Sequence, residues 1–380
     1  MSLRVVDISS FFSNTCGGIK TYYRNKARHM PTRGVECHFI VPGEKRGEEA
    51  FEGGTLHRIA GPAFPGSRHY RMFGDIAGLS RLLRGLQPDV IEVASHYVLP
   101  TLVYRAIRAL GGSRPVVLGF LHSDIVGTLV EPFVGHWPLG KAIVAQAWRW
   151  VRWRHHRYDG TLVASHTVRR ALQANGIPLV KWVGLGVDTD LFQPVLDVRR
   201  SRPRILYSGR LSGDKQFELL LRAFDRVHEV TGAELHVAGD GPLRGRVEEF
   251  AWRRDNRVFL HGYVDSPAQL ARLIAESDVS VIPGSRETFS LSTAESLSCG
   301  VPVVVPDRGA AAELAMASGA GALFAAGDSS DLARRIVDCI ELTPARRALL
   351  CKRARDYMVE NHGWPTVMER LHQAYATTPC

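Results

Sequence analysis

The sequence predicts an α/β protein built of two Rossmann-like domains facing each other across a cleft. Short apolar strands alternate with amphipathic helical segments almost throughout, the pattern of parallel α/β layers. The alternation breaks at a polar, Arg-rich segment, Asp197 to Arg202, and then restarts. With 380 residues, the chain is long enough for two cores of ordinary size.

In the first half, strands are expected near Leu3 to Ile8, Glu36 to Val41, Leu56 to Ile59, Val90 to Val93, Val116 to Phe120 and Thr161 to Ala164. Helices are expected over Gly18 to Met30, Asp75 to Leu86, Leu99 to Leu110 and Leu139 to His155, with another from Ser165 to Ala174 stopped by Gly176. The second half gives strands at Arg204 to Tyr207, Glu234 to Ala238, Val258 to His261, Val279 to Ile282 and Pro302 to Val305. Its clearest helix runs from Gln216 to Val230 and ends at Gly232. Lys181-Trp182-Val183-Gly184-Leu185-Gly186-Val187-Asp188 precedes the polar segment, so the hinge is placed near 184 to 202, with domains over 1–183 and 184–362. Parallel sheets bind ligands at the carboxyl ends of their strands, so each domain should turn that edge toward the cleft.

Bulk properties narrow the function. Apolar content of 45% and charged content of 23% describe a globular chain rather than a disordered one. No apolar run reaches about 18 residues, so no transmembrane helix is expected. The opening residues read as a strand and lack the pattern of a signal peptide. The six cysteines, Cys16, Cys37, Cys299, Cys339, Cys351 and Cys380, are scattered without metal-binding spacing, so reduced thiols, a cytoplasmic location and no metal site are expected. A formal charge of +10 favours anionic partners such as nucleotide phosphates or an anionic lipid surface. No nucleic-acid module is present, and no nucleic-acid partner is expected.

The densest motif runs from Arg286 to Glu295, followed by Gly300 and an apolar strand. It sets Glu287 and Glu295 eight residues apart across the start of a helix, with Thr288, Phe289, Ser290 and Leu291 between them. The first amides of a helix are unpaired donors that attract an anion. A carboxylate on each side suits a ligand anionic in its middle and rich in hydroxyls at its ends, the form of a nucleotide sugar. Arg210, after Gly209 at a strand end, and Lys215 five residues on make a site for a diphosphate, or else two solvated surface charges. Gly239-Asp240-Gly241-Pro242 is a Gly-rich turn at the same sheet edge, and Tyr263-Val264 follow the next strand, where a base could lie against exposed backbone.

In the first half, Cys16-Gly17-Gly18-Ile19 opens a helix, and the paired glycines allow a phosphate or sugar close to the backbone, or simply a tight turn. His122-Ser123-Asp124 lies just beyond a buried strand, where a His can bond a sugar hydroxyl or a developing oxyanion, or serve structure alone. The segment Gln146 to Tyr158 is rich in Trp and Arg and has two readings. One is a helix at a membrane interface. The other is a packed helix with Trp148, Val151 and His155 inward and Arg149, Arg152 and Arg154 elsewhere.

Taken together, Gly17-Gly18-Ile19, His122, Gly186-Val187-Asp188, Gly209-Arg210-Leu211 with Lys215, Gly239-Asp240-Gly241-Pro242 and the Glu287/Glu295 pair resemble the retaining glycosyltransferases of family four, which have the GT-B fold. The likeness runs from Gly17 to the Gly363-Trp364 region. Leu121-His122-Ser123-Asp124 is similar to the His-Thr-Asp loop of a branch that includes plant and bacterial sulfoquinovosyl and mannosyl transferases acting on lipids.

The resemblance implies an N-terminal acceptor domain, a C-terminal donor domain, and a final segment, 363–380, that packs back on the first. It implies that Arg210 and Lys215 hold the donor diphosphate, with backbone amides around Phe289, Ser290 and Leu291. Glu295 would accept from ribose hydroxyls, Glu287 would orient the donor sugar, and His122 would contact the transferred sugar. Gly18 would let a loop close over the phosphates. The implied reaction retains the anomeric configuration and needs no metal or other cofactor, only a nucleotide-sugar co-substrate: GDP-mannose first, a UDP-sugar second. The acceptor would be a hydroxyl on a lipid, glycan or natural product, met in part by the loop Gly61 to Met72. A site on the inner face of the membrane goes with an anionic surface as partner. Where the family often has Glu-Gly-Phe-Gly-Leu, this chain has Glu287-Thr288-Phe289-Ser290-Leu291, which bears on the donor sugar. A nucleotide-sugar 2-epimerase of the same fold and an inactive sugar-nucleotide-binding protein are the alternatives.

Overall fold

The computed structural model describes residues 2–12, 17–64, 70–94, 99–108, 110, 114–122, 126–134, 137–195, 201–254 and 257–378. Cys16, Ser123, Asp124, Cys380, residues 65–69 of the proposed acceptor loop and most of the Arg-rich segment lie outside them. The chain forms two compact units, Met1–Leu185 with Trp364–Cys380, and Gly186–Gly363.

The first unit is a sheet of strands β1 (Leu3–Ile8), β2 (Val35–Gly43), β3 (Gly47–Phe51), β4 (Gly54–Ala60), β5 (Val90–Val93), β6 (Val116–Leu121), β7 (Gly160–Val163) and β8 (Val180–Trp182), in the order β3-β4-β2-β1-β5-β6-β7-β8. All neighbours pair parallel except β3, which runs antiparallel to β4. The apolar runs of the central strands are buried between layers, as a parallel sheet requires. Strand β3 was not expected. It reads Gly-Glu-Glu-Ala-Phe and is almost wholly exposed, a charged edge without the apolar signal of a strand. The three-residue β8 was too short to stand out.

The helix Trp364–Ala376 buries Trp364, Val367, Met368, Leu371, Ala374 and Tyr375, a stripe at helical spacing, within the first unit. Lys181 secures its end, donating to the carbonyl of Ala374 at 3.3 Å and to the hydroxyls of Thr377 and Thr378 at 2.9 Å each. Arg33 donates to the Pro365 carbonyl and pairs with Glu369, and Arg370 lies over the Trp182 ring at 4.1 Å.

The second unit is a wholly parallel sheet of β9 (Arg204–Ser208), β10 (Glu234–Ala238), β11 (Val258–Gly262), β12 (Val279–Val281), β13 (Val303–Pro306) and β14 (Gly321–Phe324), in the order β11-β10-β9-β12-β13-β14. From β9 the chain winds outward through β10 and β11, then returns to the other side of β9 as β12. The loops after β9 and β12 therefore diverge, and such a switch point is where open parallel sheets bind ligands. Helix Phe217–Thr231 seals one face with Phe217, Leu220, Phe224 and Val227, and ends at Gly232.

The Trp- and Arg-rich segment is the helix Gly140–His155. It buries Val151 and His155 and packs Trp148 against the cluster that holds Val151, as the packed reading expects, with Trp150 packed there too. Arg149 is exposed, and Arg152 donates to the Asn175 carbonyl. Trp153 stays half exposed with Arg157 stacked on it at 4.0 Å.

Candidate active site

Strand ends bring the second unit's candidates together at the switch point. Lys215 closes a short turn after β9, and Glu287 lies on the loop after β12. Its carboxylate accepts from Lys215 at 2.6 Å, across 72 positions of sequence. Both are largely shielded, with side-chain exposures of 28% and 19%. Arg210 is different: 65% of its side chain is exposed, and its partner is Asp214 at 3.4 Å. Burial works to raise the Asp214 carboxyl, but the Ser212 hydroxyl, Arg210 and Lys215 outweigh it and hold it below the usual range. A short turn thus carries two cations and one acid, leaving the Arg210 guanidinium presented to solvent.

The loops that carry these residues lie backbone against backbone. Gly209 donates its amide to the Ala238 carbonyl, and Gly239 donates to that of Gly262. A Cβ on Gly239 would collide with the carbonyl oxygen of Gly209, and its φ of +156° is one that L-residues rarely adopt. A Cβ on Gly309, at φ +88°, would likewise collide with the carbonyl oxygen of Ser285 on the loop that carries Glu287. These contacts set the heights of neighbouring loops, so the positions of Lys215 and Glu287 are fixed by main chain. Tyr263 and Val264, after β11, are placed further along the same edge, and Tyr263 is 60% exposed.

The helix Leu291–Ser298 begins where the sequence expects, with Cys299 as its cap and Gly300 at φ +70° beyond. Phe289 is buried against His362, their rings 5.3 Å apart. Ser290, the residue before the helix, has φ +72°, a left-handed conformation that costs a non-glycine residue about 1–2 kcal/mol. Its hydroxyl does not cap the helix; it shares a 2.8 Å hydrogen bond with the Thr293 hydroxyl. The backbone here is thus the one a glycine would take, and the extra side chain is tied back to the helix. Ser290→Gly should exchange the backbone penalty for the lost hydrogen bond and leave the melting temperature within a few degrees. Ser290→Val, with a branched side chain and no hydroxyl, should cost about 2 kcal/mol or more. Thermal unfolding of both variants checks this.

Glu295 follows one turn into that helix. The residue keeps a partly exposed edge, yet burial pushes its carboxyl up to about 8. A carboxyl so raised is uncomfortable as an anion and gains from donors such as the hydroxyls of a ribose.

In the first unit, Gly17 and Gly18 form the first turn of the helix Gly17–His29, and His122 follows directly after β6. The His122 ring stacks on Phe120, centroids 4.2 Å apart, and meets the Tyr22 ring at 5.4 Å. Burial pushes its pKa down to about 4, Glu92 opposing and Lys26 reinforcing, so the imidazole is neutral at pH 7.

The sequence reading missed a buried ionic cluster beside it. Asp7 and Glu92 are register partners on β1 and β5. Lys26 donates to Asp7 at 2.7 Å and to Glu92 at 3.1 Å, and all three side chains are wholly buried. Glu92 also accepts from the hydroxyls of Tyr22 at 2.9 Å and Tyr375 at 2.6 Å. The signal was an acid among the buried apolar residues of each of two strands.

The fold is the GT-B fold of glycosyltransferases. Over 98% of this chain and 98% of its own, sucrose-phosphate synthase from Thermosynechococcus elongatus superposes with a TM-score of 0.78 at 18% identity. Residues 16–191 match the model described as Glycosyltransferase Family 4, and residues 202–341 match the one described as Glycosyl transferases group 1. A GDP-mannose-dependent alpha-mannosyltransferase of Mycobacterium tuberculosis is 29% identical over 97% of this chain and 95% of its own. Another so named, from Mycolicibacterium smegmatis, is 31% identical over 82% of each. The sulfoquinovosyl transferase SQD2 of Arabidopsis thaliana is 26% identical over 93% of this chain and 69% of its own. The chain belongs to glycosyltransferase family 4, on the branch that holds sulfoquinovosyl and mannosyl transferases.

Proposed function

We propose that this glycosyltransferase transfers a sugar with retention of configuration, without a metal ion, from GDP-mannose to a hydroxyl acceptor on a lipid, glycan or natural product, forming an α-glycosidic bond. A UDP-sugar is the second choice of donor. The observation that carries the reading is the Lys215–Glu287 pair at the switch point of the second unit's sheet, with Arg210 presented beside it. The two mannosyltransferase relatives support the choice of donor.

In this reading the diphosphate is drawn to Lys215 and Arg210 and to the amides that open the helix at Leu291. Lys215 turns from Glu287 toward the phosphate, and the freed Glu287 carboxylate takes hydroxyls of the sugar. As the glycosidic bond breaks, negative charge builds on the leaving diphosphate, where the two cations stabilise it as a metal ion would. The diphosphate oxygen accepts the acceptor's proton on the face it leaves. Neutral His122 gives a hydrogen bond to the sugar rather than acid catalysis.

A thermal-shift panel of guanosine and uridine diphosphates and their sugars tests the donor; stabilisation by none of them would sink the reading. The anomeric configuration of the product, read by NMR, decides between retention and inversion. Activity lost on adding EDTA and restored by magnesium would remove metal independence. A new sugar nucleotide formed from donor alone would point to the epimerase.

A membrane surface as partner is part of the proposal. Phe133, Trp137, Leu139 and Ile143 are exposed around the start of the helix Gly140–His155, whose later turns carry Trp153 and its stacked arginines. Among the described residues, no helix is long and apolar enough to cross a membrane. The protein should co-sediment with anionic vesicles at low salt, and Trp137→Asp should release most of it. No binding of the wild type under those conditions would remove the membrane from the proposal.

A further inference from the structure

We propose that Asp7, Lys26, Glu92, Tyr22 and Tyr375 form a buried positioning network that fixes the ring of His122 and so makes the C-terminal helix part of the transfer apparatus. The inference rests on His122 acting at the transferred sugar, as proposed above.

Glu92 is the hub. Its carboxylate takes hydrogen bonds from Lys26 on the helix Gly17–His29, from Tyr22 one turn earlier, and from Tyr375 on the helix Trp364–Ala376. With its hydroxyl held there, the Tyr22 ring cannot turn. That ring stands edge-on to Phe120 at 5.2 Å and against His122 at 5.4 Å, and Phe120 itself stacks on His122 at 4.2 Å. The His122 ring is therefore oriented by two aromatic neighbours, one of them locked through Glu92.

The cluster balances its own charge. Burial, with Glu92 beside it, raises Asp7 well above the carboxylate range. Burial works against Lys26 and Glu92 as ions, but Asp7 and Glu92 keep the amine protonated, and Lys26 with the bonds from Asp7 and Tyr375 holds Glu92 below its usual value. One ammonium stands between two carboxyl groups, and the push of one of them toward its neutral form brings the cluster closer to charge balance. Apolar side chains of the same volume would hold a core at least as well as such a cluster. What the cluster adds is one fixed geometry, spanning β1, β5, the first helix and the last.

Tyr22→Phe and Tyr375→Phe each remove one hydroxyl and keep the ring, so both should fold. With GDP-mannose as probe, each should lower kcat about tenfold while KM stays within twofold. In a His122→Ala background neither should cause any further loss, because both act through that ring. Losses that multiply in the double variants, or an unchanged kcat in the single ones, would overturn the network. A second readout needs no turnover: the ¹⁵N resonances and titration of the His122 imidazole should shift in Tyr375→Phe. An unchanged His122 signal would likewise overturn it. Absence of turnover by the wild type with any nucleotide sugar would instead sink the proposed activity, leaving the imidazole signal to judge the network.

Discussion

Lys215→Ala and Glu287→Ala should each lower sugar transfer by roughly 10²–10³-fold or more, with folding intact, but they should differ in what they leave behind. Lys215 faces the diphosphate in the proposed reading, so its loss should also weaken GDP binding measurably. Glu287 faces the sugar, so Glu287→Ala should bind GDP nearly as well as the wild type and still fail to transfer. The pair joins partly exposed side chains, so its direct contribution to stability is small, and the melting temperature should move little. Calorimetry with GDP beside a turnover assay checks the split. Near-normal turnover by either variant would remove that residue from the mechanism.

The second large effect concerns pH and Glu295. Its carboxyl is raised by burial from an ordinary 4.5 to about 8. Between those values the folded protein holds a proton that the unfolded chain has released. Stability from this group is therefore fully present below about pH 4.5 and is lost as pH rises toward 8, by up to about 1.36 kcal/mol per pH unit. Glu295→Gln cannot ionise, so its melting temperature should overtake that of the wild type as the pH approaches 8. Ligand binding should run the other way. Ribose hydroxyls donate best to the carboxylate, so GDP affinity should rise from pH 7 to 9 in the wild type and stay flat in Glu295→Gln. GDP binding near pH 7 should also release a proton, seen as a binding enthalpy that depends on the buffer. A flat profile in both proteins would remove Glu295 from the ribose site.

Much of this was legible in the sequence, for physical reasons that differ from part to part. Central strands such as Val116–Leu121 and Val303–Pro306 are visible because a parallel sheet is buried on both faces and demands unbroken apolar runs. Edge elements carry no such demand, which is why Gly47–Phe51, with its two glutamates, was missed. The motif residues could be named, but the sequence could not show that Lys215 and Glu287 touch while Arg210 stands apart with Asp214. That depends on where two loops, each set by glycine contacts, come to lie. Lys26 was hidden by its company. The helix Gly17–His29 also carries Lys20, Arg24 and Arg28, and only the turn shared with Tyr22 places Lys26 inside. Ser290 shows the reverse case: a residue read from the sequence as bearing on the donor sugar occupies a backbone conformation meant for glycine.

The order of the units along the chain bears on how the protein is made. The second unit is one uninterrupted stretch, while the first needs Trp364–Tyr375 to cover its sheet and to supply the last donor to Glu92. Once residue 185 has left the ribosome, the half already made still lacks a wall and holds an incompletely satisfied carboxylate. The later-made unit can settle first, and the earlier one closes only when the final helix emerges. Truncation within that helix would strike the beginning of the chain.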